Sequence, residues 1–327
     1  MDVKARIEKL PRIRLANLPT PLEEMPHLSK ALGGPRLGIK RDDFAGLVFG
    51  GNKVRKLEFE MAEALQKGAD CIVAGGVIQS NHACATVAAA RKLGLKAVLL
   101  LRGARPETYH GNLLLDHLLG ADIRFFDKKR HEMGAVTKGV IDDLKAEGYN
   151  PYAVPFSSPL GSVAYVNALL ELTSQAKSMN MRIDHLVHAA GSGGTQAGLV
   201  VGKKALSSNI DIIGIATDPE DTWLRKETVE IANKCANLLG LETSISEDDV
   251  TLMYDYAGEG HGVLTSEVKD TIKKLAETEG TLLDPVYTAK AMTGLIDLVK
   301  QGRFQKEENV VFLHTGGFPA LFAYEGY

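Results

Sequence analysis

Residues 185–198 read HLVHAAGSGGTQAG. A run with the character of a buried strand ends at Ala190, a glycine turn follows at once, and a helical pattern begins at Thr195. Backbone N–H groups from Gly191 through Ser192, Gly193 and Gly194 to Thr195 would then point outward with a helix dipole behind them. That is a cradle for an anion such as a phosphate. The spacing matches neither GxGxxG nor GxxxxGK[ST], which disfavours a dinucleotide or a nucleoside triphosphate. A purely structural turn is the weaker reading.

The same strand–turn–helix grammar extends outward in both directions. IVAGG (72–76), AVLLL (97–101), IRFFD (123–127), YAVP (152–155), IIGIA (212–216) and VVFLHTGG (310–317) read as further buried strands. Between them, Val54, Leu57, Met61 and Leu65 fall on one helical face, as do Met292, Leu295, Ile296 and Val299. Helices stop at glycine in QKGAD, KLGLK, LLGAD, AEGYN and KQGRF. Alternation of this kind predicts an α/β protein with parallel sheets covered on both faces. Ligands in such folds sit at the carboxyl ends of strands, where loops enter helices.

The 327 residues are 45% hydrophobic and 24% charged, and the formal charge is −3. That length suggests about two domains and a large core. Neither nucleic acid nor a membrane surface is called for as a partner. Cys71, Cys84 and Cys235 are widely spaced and lack CxxC pairing, so no metal site and no disulfide framework is expected. MDVKARIEKLPRIRL at the start has no apolar secretory core, and AVLLL is too short to span a bilayer. A cytoplasmic protein is expected.

Four other segments could carry chemistry. In KRDDFAGLVFGGNKVRKLEF (40–59), Gly50-Gly51 leads straight into Asn52-Lys53 and a helix. A lysine near the positive end of a helix has a lowered pKa, as a Schiff-base nucleophile needs. On that segment alone, a solvated basic helix start with Lys53, Arg55 and Lys56 is the simpler reading. In GGVIQSNHACATVAAARKLG (75–94), the cluster Gln79, Ser80, Asn81 and His82 exceeds what helix capping requires, which favours a ligand site. DPVYTAKAM (284–292) and LHTGGFPALF (313–322) each place a threonine, Thr288 or Thr315, beside an aromatic or a glycine turn.

Together and in this order, FGGNKVRKLEF, IQSNHA, GSGGTQAG, LLDPVYTAKAM and HTGGFPALFAY resemble the pyridoxal-5′-phosphate (PLP) family of 1-aminocyclopropane-1-carboxylate (ACC) deaminase and D-cysteine desulfhydrase. The resemblance runs from about Pro11 to Tyr324. It implies PLP fold type II, the tryptophan-synthase-β type, with two domains, each a twisted, mostly parallel sheet covered by helices. Residues 1–46 and 164–327 would form the large PLP-binding domain and 47–163 a small inserted one, usually in a homodimer.

The resemblance also implies roles. Lys53 would hold PLP as a Schiff base and move the Cα proton. Ser80 would bind the substrate carboxylate or help transfer a proton, and Asn81 would bond the phenolic oxygen. The 191–195 turn would hold the phosphate. Tyr287 would lie close to the ring, Thr288 would meet the pyridine nitrogen, and Thr315 would border both cofactor and substrate. The cyclopropane-opening relatives carry Glu and Leu where this chain has Thr288 and Thr315, so the pair points to the D-cysteine branch. A hydroxyl makes the ring a weaker electron sink, which suffices when a good leaving group departs from Cβ. The expected activity is therefore α,β-elimination of D-cysteine to pyruvate, hydrogen sulfide and ammonia. D-serine, β-chloro-D-alanine and L-cysteate are alternative substrates, and ACC deamination an alternative reaction. Two departures border the expected substrate site with His82: PFSSPLG (155–161, with Ser158) is about two residues short, and His261 stands where relatives usually carry tyrosine.

Overall fold

A computed structural model describes residues 2–219 and 222–326. In chain order the elements are α1 (Val3–Ile7), β1 (Leu22–Glu24), α2 (Pro26–Leu32), β2 (Arg36–Arg41), α3 (Asn52–Gln66), β3 (Cys71–Val77), α4 (Asn81–Lys92) and β4 (Lys96–Arg102). Then come α5 (Gly111–Leu118), β5 (Asp122–Phe126), α6 (Met133–Ala146), β6 (Pro151–Ala153), α7 (Pro159–Ser178), β7 (His185–Ala190) and α8 (Gly194–Ala205). The last are β8 (Asp211–Ala216), α9 (Leu224–Leu238), β9 (Thr251–Met253), α10 (Ser266–Glu279), α11 (Thr288–Lys300) and β10 (Asn309–His314).

The strands form two sheets. One has six strands in the order β1-β2-β10-β7-β8-β9, and the other four in the order β5-β4-β3-β6. Among the described residues only the β1–β2 pair is antiparallel. Both faces of each sheet are covered, and the period of two decides which residue packs where. Val187, Ile213, Ile215, Val310 and Phe312 turn toward α2, α10 and α11. Their neighbours Leu186, Ile212, Val311 and Leu313 turn toward α7 and α8. In the four-stranded sheet Ile72, Ala97 and Leu99 face α3–α5, while Cys71, Val73, Val98 and Leu100 face α6.

All seven expected strands are present, six of them within one or two residues; the seventh, expected over 310–317, ends at His314, where the glycine turn begins. β1, β2 and β9 are additions. Two of these have only three residues, too short for a period. The third, RLGIKR, is dense in charge, yet its Lys40 is 1% exposed because a buried ion network receives it. Helical periodicity placed α3 and α11 correctly, except that Leu65 is exposed.

The buried network ties Lys53's helix to the six-stranded sheet. Arg55 on α3 donates to both oxygens of Asp42 at 2.9 and 2.8 Å and to both of Glu171 on α7 at 3.0 and 2.8 Å. Lys40 also pairs with Glu171, and Tyr165 donates to Asp42 at 2.7 Å. Burial works against the Asp42 charge, but Arg55 overrides it and holds the carboxyl below its usual range. Two cations thus meet two carboxylates with most lone pairs satisfied. Removing one partner strands a charge in a dry interior. Arg55→Leu should therefore destabilise the fold by about 3–5 kcal/mol, read as a lowered urea midpoint with an unchanged slope.

Candidate functional site

Both sheets reverse their winding order where they face one another. In the four-stranded sheet the reversal falls between β3 and β6, and in the six-stranded sheet β7 and β10 are neighbours although far apart in sequence. The loops leaving these strands enclose a cavity of about 530 Å³. Lys53, Ser80, Asn81, Tyr287 and Thr315 line it, as do His82 and His261. So do Gly191, Ser192, Gly193 and Thr195. Five distant segments thus converge where the switch-point rule puts ligands.

Hydrogen bonds lock these loops to each other. Asn52 N–H donates to the Thr315 carbonyl at 3.0 Å, and Asn52 Nδ2 to Thr195 Oγ1 at 3.0 Å. A Cβ on Gly316 would stand 2.6 Å from Gly51 Cα, so only glycine lets these two turns touch. Ser80 caps α4, accepting from Ala83 N–H at 3.2 Å. Asn112 on α5 takes the Asn81 amide oxygen at 2.7 Å and bonds Gln79 through both its backbone and its side chain. The Asn81 nitrogen is thereby turned toward the Gly317 turn, where a Cβ would stand 3.0 Å from it.

The electrostatics separate two lysines on one face of α3. Burial lowers the Lys53 pKa to about 8, with Glu60 opposing the shift. Its ammonium lies 5.3 Å from the centre of the Phe156 ring. Lys56, one turn on, is buried and has its pKa pushed down by burial and then by Lys53. Lys56 Nζ and Ser157 Oγ are buried without a hydrogen-bond partner. Both crowd the start of α8: a Cβ on Gly194 would strike Ser157 Oγ and lie 3.1 Å from Lys56 Nζ. Helix α8 has no acidic residue in its first turn and no side-chain cap. An amine and a hydroxyl without partners beside the uncapped N–H groups of α8 make a donor set that suits an anion. Lys56 was passed over in the sequence; its i, i+3 spacing from Lys53 was the available signal.

Three expected site residues stand outside the cavity wall. Thr288 is fully buried, and its hydroxyl donates to Asp284 Oδ1 at 2.7 Å while accepting from Asp284 N–H at 2.8 Å. Asp284 also accepts from the N–H groups of Val286, Tyr287 and Thr288, closing the start of α11. Ser158 caps α7 and donates to Glu60 at 2.5 Å, and its neighbour Phe156 lines the cavity instead. Gly194 lies one residue behind the wall, as the first residue of α8. Tyr287 meets His261 edge to face at 5.5 Å. Burial lowers the pKa of His261, and that of His82 to about 3, so both rings are neutral near pH 7.

Two measurements follow from this geometry. Thr195→Asp sets a carboxylate inside the anion site and should weaken phosphate binding by about a hundredfold or more, read by titration with inorganic phosphate. The lowered Lys53 pKa means that its amine loses its proton through about pH 8 rather than pH 10.5. Attack of the cofactor-free protein on PLP should accelerate as pH rises and level off above about 8, followed as growth of the visible absorbance band.

Comparison with known proteins places this site in a family. The family model described as "Pyridoxal-phosphate dependent enzyme" matches residues 13–316. A D-cysteine desulfhydrase of Klebsiella pneumoniae (strain 342) is 42% identical over 325 residues, 97% of each chain. A Pyrococcus abyssi protein, provisionally named as an ACC deaminase, is 41% identical over 325 residues, covering 98% of this chain and 96% of its own. A crystal structure of an ACC deaminase homologue superposes with a TM-score of 0.92 at 40% identity, over 99% of this chain and 97% of the other. Threonine deaminase isoform 2 from Solanum lycopersicum shares the fold, with a TM-score of 0.68 at 20% identity over 96% of this chain and 83% of that one. The chain belongs to the pyridoxal-phosphate-dependent enzyme family.

Proposed function

We propose that this enzyme is a carbon–sulfur lyase that eliminates hydrogen sulfide from D-cysteine, leaving pyruvate and ammonia. The observation that carries the reading is Lys53: a half-buried amine of lowered pKa at the mouth of an anion site that ends in α8. The residues present fit PLP. Lys56 Nζ and Ser157 Oγ, both lacking partners, and the N–H groups at Gly193 to Thr195 would hold its phosphate. The Asn81 nitrogen would donate to the ring oxygen, with Asn112 fixing its direction. Tyr287 would stand beside the ring. Thr315, which lines the cavity, would meet the ring nitrogen in place of Thr288, whose hydroxyl Asp284 occupies. Bound there, PLP supplies an electron sink that stabilises negative charge at a substrate Cα.

The protein's own part is positioning and proton transfer. The N-terminus of α4, with Ser80, faces the cavity and would hold the substrate carboxylate. Lys53 would take the Cα proton of a substrate held there. The Cβ–S bond breaks with its electron pair leaving on sulfur, and water converts the remaining enamine to pyruvate and ammonia. ACC has no Cα hydrogen for Lys53 to remove, which favours D-cysteine.

The two sheets support treating 47–163 as a small domain and 1–46 with 164–327 as a large one. Exposed Val48, Phe49 and Phe322, the last two bridged by ring contacts through Phe318, support a homodimer. Among the described residues no helix is long and apolar enough to cross a membrane. A cytoplasmic location is part of this reading.

Lys53→Ala should abolish the visible absorbance band and reduce pyruvate formation by about a thousandfold or more. Borohydride labelling of Lys56 or Lys290 in the wild type would overturn the assignment. At equal enzyme, D-cysteine should give sulfide and pyruvate while ACC gives little 2-oxobutyrate; dominant 2-oxobutyrate would overturn the reaction.

A further inference from the structure

One buried charge has no part in binding or proton transfer. Lys290 is fully buried on α11, three residues after Tyr287. Its ammonium donates to the carbonyls of Thr217, Ala257 and Gly260 at 3.0, 2.5 and 2.7 Å. A lysine ammonium has three N–H donors and no acceptor, so these three bonds satisfy it completely. Among the described residues no carboxylate pairs with it. Burial lowers its pKa, and Asp218 and Asp284 oppose that shift from farther off.

The three carbonyls come from separate parts of the cavity wall. Thr217 follows β8, whereas Ala257 and Gly260 belong to the loop between β9 and α10. Thr217 lines the cavity, and so does His261, the residue after Gly260. Thr217 Oγ1 is buried without a hydrogen-bond partner, 3.3 Å from where a Cβ on Gly191 would stand. His261 meets Tyr287 edge to face. The start of the loop has its own hold on α11: Tyr256 donates to Asp297 at 2.9 Å, and its ring would lie 2.9 Å from a Cβ on Gly294. The stretch that carries His261 runs between Gly258 and Gly262, both at positive φ. Glycines allow that path but supply no side chain to pin it. Lys290 reaches this stretch through the Ala257 and Gly260 carbonyls.

A neutral donor could make such bonds at a smaller desolvation cost. Charge-assisted bonds are roughly twice as strong as neutral ones, and a compact cation can gather carbonyl oxygens from separate segments in place of its own hydration shell.

We propose that Lys290 is a positioning residue whose ammonium serves as a tethered cation, gathering Thr217 and the His261 loop against the helix of Tyr287 and so setting the substrate wall of the cavity. The inference rests on reading this cavity as the place where D-cysteine is consumed. No bond to Lys290 forms or breaks in the reaction.

The test removes the tethered cation and offers a free one. Lys290→Ala, loaded with PLP, is measured in tetramethylammonium chloride, whose cation is bulky and has no N–H. It is measured again in ammonium chloride and in potassium chloride at equal ionic strength. In the tetramethylammonium salt the variant should show a lowered Tm and a KM for D-cysteine raised by roughly 10- to 100-fold, the scale of loss that misplacement produces. The visible absorbance band and kcat should change less, because Lys53 lies on another element. Ammonium should restore Tm and KM saturably. Restoration by potassium as well would identify charge as the requirement, and restoration by ammonium alone would identify the N–H donors; either upholds the role. Wild type should be indifferent to the choice of salt.

Equal losses in all three salts would reduce Lys290 to packing and overturn the proposal, as would a variant whose KM and Tm match wild type in every salt. A wild type that responds to potassium as the variant does would overturn it too, since the place would not then be filled. The Tm readings need no substrate. Salt-specific recovery of Tm in an enzyme inert toward D-cysteine would therefore keep the role of Lys290 and overturn the substrate reading. Should Lys290→Ala fold in no salt, the series is repeated with Lys290→Gln, whose stem fills more of the space. There, wild-type KM and Tm, or losses that ammonium does not relieve, would be equally fatal.

Discussion

The contact on which the site depends contains no catalytic atom. It is the forked pairing of Arg55 with Asp42 and Glu171 in the interior. Asp42 lies just past the end of β2, Glu171 is on α7, and Arg55 is two residues beyond Lys53. One guanidinium plane thus fixes the axial position and rotation of α3 against the six-stranded sheet. Lys53 and Lys56 inherit both coordinates. Lys40 balances the second carboxylate, so the cluster is nearly neutral, a condition for keeping four charges away from water. Lysine in place of Arg55 would retain charge but lose the fork, and with it control of rotation.

Around that anchor, three polar groups of the site are oriented by others that do not line the cavity. Asn112 turns Asn81, Asp284 turns Tyr287 through the start of α11, and Lys290 holds the loop bearing His261. Such supports are what hold a reacting group within the small tolerance that orientation effects require. The design also isolates charges. Glu60, whose pKa burial raises and to which Ser158 donates, sits on the same helix face as both lysines, and its charge limits how far their pKa values fall.

Much of this could be read in the sequence. Strand–turn–helix punctuation identified seven of the ten strands, because buried parallel strands are short apolar runs that end in glycine or polar clusters, while their division between two sheets came from the family resemblance. The five ligand segments were visible for the same reason: polar residues and glycines at strand ends have little structural purpose. What escaped were features that depend on distance in space. Nothing in RLGIKR says that Lys40 finds Glu171, and Asn112 has no local pattern that links it to Asn81. Thr288 shows the reverse failure. A hydroxyl beside an aromatic looked available, but Asp284, four residues earlier, had already engaged it as part of a helix start. Lys56 was hidden by composition, since a lysine next to an arginine on a helix normally means water.

The touching glycine turns have a consequence for how the molecule is made. Gly51 is translated long before Gly316, and β10, which leads into the second turn, belongs in the middle of the six-stranded sheet, between β2 and β7. A growing chain therefore holds two unpaired parallel edges, on β2 and β7, until β10 emerges. Until then it has no Thr315 carbonyl on which to seat Asn52, the residue before Lys53. Until β10 pairs, the nascent protein offers sheet edges that can pair with the wrong neighbour, so its vulnerable period is set by the order of its strands.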